Sequence, residues 1–402
     1  MQKFYLTIAA ICIAHVLGMV PFAIYPTLIP ILQAEWSASN TAIGWVAGIY
    51  FGGYLVTVII VVPLTDRVDA RKVYLLSMGL TAIAPVAFAF GTFGVGSASV
   101  WRFVQGVALA GTYMPGLKAM VDAVPDRMQS RTVAVYTMCF GLGVAVSFLI
   151  AGVLAATMTW RWVFVASAAG PLLALCLAWL FLPAAVPKET NGKFTLLPDF
   201  RPVISNRKTL GFSIAYGVHN VELFVFRSWA VAFLFFAMTQ REAGWLGSGW
   251  NPAIIVACAT LVAQPFSVIT NELADRLNRE KVITWVMALS ATTGVALGFS
   301  SQMSMLVIVT IAGLYAIMTI ADSASITSAV IKNADYSVRG TTMALHTLIG
   351  FVGAFAGPIL FGAVLDLAGG DQRPTAWGLA FTAVGIAVII GPLAIRRTAR
   401  TH

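Results

Sequence analysis

Twelve apolar runs, each long enough to cross a bilayer, constrain this chain more than any other feature of its sequence. About 30 Å of hydrocarbon takes ~20 residues of helix. Runs of that order lie at 5–32, 41–64, 73–92, 98–122, 132–157, 161–183, 209–238, 251–271, 282–300, 304–331, 340–366 and 374–395. Inside hydrocarbon every backbone N–H and C=O needs a partner within the protein, so these spans read as helices and not as open strands. Only 10% of the 402 residues are charged and 59% are hydrophobic, whereas soluble domains carry about 25% charged residues. The expected fold is therefore an all-α membrane protein with twelve transmembrane helices, its first partner the lipid bilayer.

The net charge of +9 could suggest nucleic acid, but its distribution points elsewhere. With the N-terminus inside, the cytosolic segments hold Lys3, Arg67, Arg71, Lys72, Arg127, Arg131, Lys188, Lys193, Arg201, Arg207 and Lys208. They continue with Arg276, Arg279, Lys281, Lys332, Arg339, Arg396, Arg397 and Arg400, which makes 19 of the 25 basic residues. The opposite loops hold Arg161, Arg241 and Arg373. This asymmetry is the positive-inside pattern and places both termini, His402 included, in the cytosol of a multi-pass inner (plasma) membrane protein. No nucleic-acid partner is expected. The first apolar run is too long for a cleavable signal peptide. Cys12, Cys139, Cys176 and Cys258 all fall within spans, with no disulfide or metal spacing.

The longest polar interval, 184–208, carries five Lys or Arg and several prolines and divides the spans six and six. The halves repeat one another. Leu64-Thr65-Asp66-Arg67 with Arg71 recurs as Leu273-Ala274-Asp275-Arg276 with Arg279, each after the second span of its half. His15 and His219 lie about ten residues into the first span of each half, and Gly141 and Gly350 match in the fifth. Parallel six-helix repeats are a transporter architecture. The expected organisation is a bundle at 1–183, a cytosolic linker at 184–208 and a second, pseudo-symmetric six-helix bundle at 209–402.

The chain resembles the major facilitator superfamily along its whole length. The resemblance is carried by LTDRVDARK (64–72) and LADRLNREK (273–281), by WRFVQG with Arg102, Gln105 and Gly106, and by WRWVF from Trp160. Two departures stand out. The loop motif's first glycine is Val62 or Asn271 and a later one is Asp69 or Asn278; and span 5 reads GLGVAVSFLIAG, without the Gly-Pro signature of proton-coupled drug exporters. The resemblance implies alternating access by a functional monomer. It also implies a conformational gate built on Asp66, Arg67, Arg71, Asp275, Arg276 and Arg279, where acids meet helix N-termini and arginines.

Ionisable side chains within a bilayer are costly and mark transport pathways. The acids well inside spans are Glu222 and Asp322; the bases are Arg102 and Arg227, with Lys118 near a span end; the histidines are His15, His219 and His346. Spans 1, 4, 7 and 10 carry most of them, and these are the spans that line the central cavity in the family. The stretch GVHNVELFVFRSWAV (217–231) is therefore expected to face a water-accessible cavity. His219 and Glu222, three apart, share a helix face, whereas Arg227 lies about 140° further round. Glu222 suits reversible protonation, because burial and nearby cations act on a carboxyl in opposite directions. A structural ion pair is the alternative for Glu222 and for Asp322, and Lys118 could snorkel to the interface. Tyr113, Tyr50, Tyr54 and Trp229 could stack on a substrate ring or simply pack, and Trp245 and Trp250 read as interface anchors.

The expected function is secondary active transport of a small organic solute, proton-coupled, with an organic anion favoured because the spans hold more cationic than anionic groups. Drug or toxic-metabolite efflux is the alternative. Three histidines raise transition-metal transport, but no His-x-x-x-His or cysteine pairing supports a metal site. A non-transporting sensor or assembly factor would be expected to lose the charges within the spans. No P-loop or nucleophile–base set points to an enzyme, and no cofactor is implied.

Overall fold

The computed structural model describes residues 2–185, 199–240 and 249–399. Lys188 and Lys193 of the linker, Arg241, Trp245, Arg400 and His402 lie outside the described residues. The chain divides into two compact units: Met1–Leu32 with Ile49–Leu197, and Gln33–Gly48 with Pro198–His402.

The first unit contains α1 (Gln2–Gly18), α2 (Ile24–Trp36, to Leu32), α3 (Asn40–Leu64, from Ile49), α4 (Ala70–Gly91), α5 (Val95–Asp122), α6 (Asp126–Ala155), α7 (Trp160–Ser167) and α8 (Ala169–Phe181). The first expected span is broken where one continuous helix was anticipated. Residues 19–23 form turns around Pro21, which has no N–H to continue a helix. Ser147 of α6 closes the break: its Oγ accepts the Ala23 N–H at 2.8 Å and donates to the Val20 carbonyl at 2.7 Å. Helix α1 packs on α8 and α6, and α4 packs on α5. Gly106 of α5 lies against the Tyr50 backbone so closely that a methyl group there would overlap the Tyr50 carbonyl. The Gly of the WRFVQG motif therefore serves close helix approach.

The second unit contains the short α9 (Arg201–Ser205), then α10 (Arg207–Thr239), α11 (Pro252–Arg276), α12 (Arg279–Gly298), α13 (Met305–Ala321), α14 (Ser323–Asn333), α15 (Arg339–Leu367) and α16 (Pro374–Ala399). Helix α9 puts regular structure at the end of the expected linker. Helix α10 is the centre of this unit. Its apolar window is 89% buried, against 39–44% for the other candidate spans, and it packs on α15, α16 and α14. A helix apolar all round belongs inside, not at a lipid face. The expected tenth span is interrupted at Asp322, which ends α13 and precedes α14.

Gln33–Gly48 groups with the second unit, although the repeat places it in the first half. Within this unit Asp366, at the end of α15, receives four hydrogen bonds from the start of α3. Its Oδ1 accepts from Asn40 N at 2.9 Å and Asn40 Nδ2 at 2.8 Å, and its Oδ2 accepts from Thr41 N at 2.8 Å and Thr41 Oγ1 at 2.6 Å. These satisfy amide groups that a helix N-terminus leaves without intrahelical partners. One turn earlier, Gly362 meets the Asn40 backbone where a methyl group would overlap its carbonyl.

Ten described helices or broken-helix pairs are long and apolar enough to cross a membrane, and the shorter apolar Phe4–Gly18 stands beside them. With α5, a 28-residue helix made more polar by Arg102, Gln105 and Lys118, these account for the twelve expected spans.

Candidate functional site

Local capping explains one departure from the loop motif. The Asp69 side chain accepts the Arg71 N–H at the start of α4, and the Asn278 side chain accepts the Lys281 N–H at the start of α12. Both residue types are strong N-caps, which glycine cannot match with a side-chain bond. Asn271 is explained differently: its Oδ1 accepts from Arg279 Nη1 at 2.8 Å.

The loop charges are engaged within their own units. Asp275 pairs with both Arg279 and Lys332, and Arg279 Nη1 also donates to the Ser325 carbonyl of α14 at 3.0 Å. In the first unit Asp66 lies 4.0 Å from Lys118, which also pairs with Asp122 at 3.2 Å. Arg71 donates to the Trp179 carbonyl at 2.7 Å. Lys118 and Lys332 were legible only as interface bases; the geometry adds them to the acidic positions of the motif.

Among the span residues of the first unit, His15 is buried in rings. It stacks on Tyr136 at 4.4 Å and lies 5.6 Å from Tyr113 and 6.2 Å from Phe140. Tyr136 itself donates to the carbonyls of Thr112 and Tyr113. Arg102 is 2% exposed. It donates to Gln105 Oε1 at 2.8 Å, and its guanidinium carbon stands 4.2 Å from the Tyr50 ring centre and 5.0 Å from that of Tyr25. No carboxylate pairs with it among the described residues, so the neutralising partners are an amide oxygen and two π-faces. Tyr50 is thus a partner of Arg102.

The second unit gathers five of the candidate residues. His219 Nδ1 lies 2.7 Å from Asp322 Oδ1, with both side chains under 5% exposed. The Tyr216 ring stacks on His219 at 5.5 Å and on His346 at 4.0 Å. His346 Nε2 stands 3.4 Å from the Thr327 hydroxyl. Glu222 faces the hydroxyls of Ser290 and Tyr315, so two residues expected to share a helix face have different partners. Arg227 lies over the Phe224 ring at 5.1 Å. His219, Glu222 and Arg227 are 1%, 3% and 6% exposed. In this conformation α10 packs against α14, α15 and α16. Trp229 is a packing residue, its indole N–H donating to the Pro358 carbonyl at 3.1 Å. Among the described residues no group of three or more His, Cys, Asp or Glu is placed to hold a metal.

Buried charges on long apolar helices are the pattern of a membrane protein with a polar pathway. The Major Facilitator Superfamily profile matches residues 11–358, and the chain belongs to that family. It is a transporter and not an enzyme. Over 403 aligned residues it is 25% identical to the gallate transporter of Pseudomonas putida, covering 93% of this chain and 87% of that one. It is 23% identical to the benzoate transport protein of Acinetobacter baylyi, covering 92% and 84%. The nucleoside transporter NupG superposes with a TM-score of 0.79 over 98% of this chain and 99% of that one at 15% identity, which is a likeness of fold.

Proposed function

We propose that this protein imports a small aromatic carboxylate together with protons. The observation that carries the reading is the near full-length similarity to relatives named for gallate and benzoate transport. The buried Arg102 supports it: this cation has no carboxylate partner among the described residues and sits against two tyrosine rings. Guanidinium matches a carboxylate in a bidentate fork, and tyrosine faces suit an aromatic body. His15, Tyr113 and Arg102 are the candidate substrate or proton contacts in the first unit; His219, Glu222, Arg227, Asp322 and His346 are those in the second. Asp66, Arg67, Arg71, Asp275, Arg276 and Arg279 are the proposed gate. The working protein is a monomer in the plasma membrane with both termini cytosolic and its halves joined through 184–208. Purified protein in liposomes should accumulate labelled benzoate or gallate when the lumen is made alkaline. Accumulation equal to that of protein-free vesicles for every aromatic acid tried would remove this reading.

A further inference from the structure

Proton coupling requires a group whose charge changes and whose charge acts on a movable part. Glu222 meets the first requirement only. Its carboxyl faces the Ser290 and Tyr315 hydroxyls, which can donate to a carboxylate or accept from a carboxylic acid. No base pairs with it among the described residues, and it lies mid-way along the unbroken α10.

His219 and Asp322 are placed differently. An imidazole and a carboxyl group whose nitrogen and oxygen stand 2.7 Å apart can together carry one proton on either partner, as imidazolium with carboxylate or as imidazole with carboxylic acid. Either form is neutral as a pair. Loss of the proton leaves imidazole and carboxylate, a net charge of −1, in a setting where Coulomb interactions are strong. The contact is at ion-pair distance without hydrogen-bond geometry: His219 Nδ1 and Asp322 Oδ1, like His219 Nε2 and His346 Nδ1, are buried without a hydrogen-bond partner among the described residues. The titratable and charged groups around the pair are Tyr216, Glu222 and Arg227 on its own helix, Tyr315 on α13 and His346 on α15.

Asp322 also stands at the break between α13 and α14. Helix α14 is tied at both ends to the motif loop: the Ser325 carbonyl accepts from Arg279, and Lys332 in the last turn pairs with Asp275. Near the break, the Ala324 N–H reaches Ser267 of α11 at 3.2 Å. A change of charge at Asp322 therefore bears on a short helix anchored to the Asp275 cluster. In the first unit His15 contacts the rings of Tyr113, Tyr136 and Phe140, and no ion pair of His15 with an acid is seen among the described residues.

We infer that the His219–Asp322 pair, and not Glu222, holds the coupled proton, and that α14 passes its occupancy to the Asp275–Arg279–Lys332 cluster. This rests on the proton-coupled reading above. On unloading, the proton leaves to water and the pair returns to its anionic form.

The test is a pH-difference infrared spectrum of the substrate-free protein in lipid, taken across the range where histidine titrates. The signal that appears on acidification, a carboxylic C=O band or an imidazolium ring band according to which partner takes the proton, should be lost or shifted in both Asp322→Asn and His219→Gln and persist in Glu222→Gln. A band unchanged in both Asp322→Asn and His219→Gln, or one abolished by Glu222→Gln, overturns the assignment. If Asp322→Asn does not fold, His219→Gln decides alone. In liposomes, the ratio of benzoate accumulation with and without a pH gradient should fall to unity in Asp322→Asn. Should the wild-type protein accumulate no aromatic acid, the substrate reading fails, and the infrared result still decides where the proton sits.

Discussion

Replacing Asp366 removes the acceptor of four hydrogen bonds at once, and the size of the effect can be worked from their geometry. Two of the donors are backbone amides at the start of α3 and two are the Asn40 and Thr41 side chains, all at 2.6–2.9 Å. A hydrogen bond to a charged group contributes about 1.5–3 kcal/mol when buried, and loss of a helix cap costs about 0.5–2 kcal/mol. Asp366 is only partly buried, water can replace part of the lost bonding, and the four bonds share two oxygens, so the terms do not add. The expected cost of Asp366→Ala is about 2–4 kcal/mol. Asp366→Asn keeps one acceptor oxygen and should lose roughly half of that. The assay is thermal unfolding of the purified protein in detergent, run as a double-mutant cycle with Thr41→Val. Because Thr41 Oγ1 loses its carboxylate partner in Asp366→Ala, the two changes should be less than additive by about 0.5–3 kcal/mol. Stability within about 0.5 kcal/mol of wild type, the usual range for featureless surface changes, would refute the reasoning. So would strict additivity.

The motif acids should behave in the opposite way. Asp66 and Asp275 are both substantially exposed, and exposed ion pairs add little to stability, so Asp66→Asn and Asp275→Asn should slow turnover with nearly unchanged melting and substrate affinity. By family resemblance Asp66 should be the more sensitive, and wild-type exchange rates in both variants would contradict the gating role. Ser147→Ala strands the Ala23 N–H at the break between α1 and α2 and should cost about 1–3 kcal/mol, read as a lower unfolding temperature. Ser147→Thr, if its methyl fits, should recover most of it. Reporter fusions after residue 240 and at the C-terminus should fall on opposite sides of the membrane, as the distribution of 19 basic residues implies; the same compartment for both would reverse the topology.

The spans were legible because length and apolarity are local properties of the chain. Their breaks were not. What holds the chain open at the first is Ser147, over a hundred residues away, and the second occurs at an aspartate whose partner lies on α10. Among the polar residues, a census of buried charge could be read directly, since the cost of burying charge limits it to a few positions. Pairing could not be read. Spacing put His219 and Glu222 on one face, yet His219 meets Asp322 from more than a hundred residues further on, and Glu222 meets two hydroxyls. Asp366 passed unnoticed because an acid at a span end looks like an interface residue. The signal that could have found it is Asn40-Thr41, a cap-forming pair at the start of span 2 whose donors need an acceptor. Asp69, Asn278 and Asn271 looked like losses from a glycine motif until the capping bonds and the Arg279 contact supplied their reason.

Proton-coupled import of an aromatic carboxylate is tested most directly by following luminal pH when substrate is added to liposomes with no imposed gradient. After subtraction of passive acid entry into protein-free vesicles, benzoate or gallate should acidify the lumen at a rate proportional to the protein present. A nucleoside such as uridine should leave luminal pH unchanged. Solute entry without a proton signal would contradict coupling, and luminal alkalinisation during entry would mean exchange in place of symport.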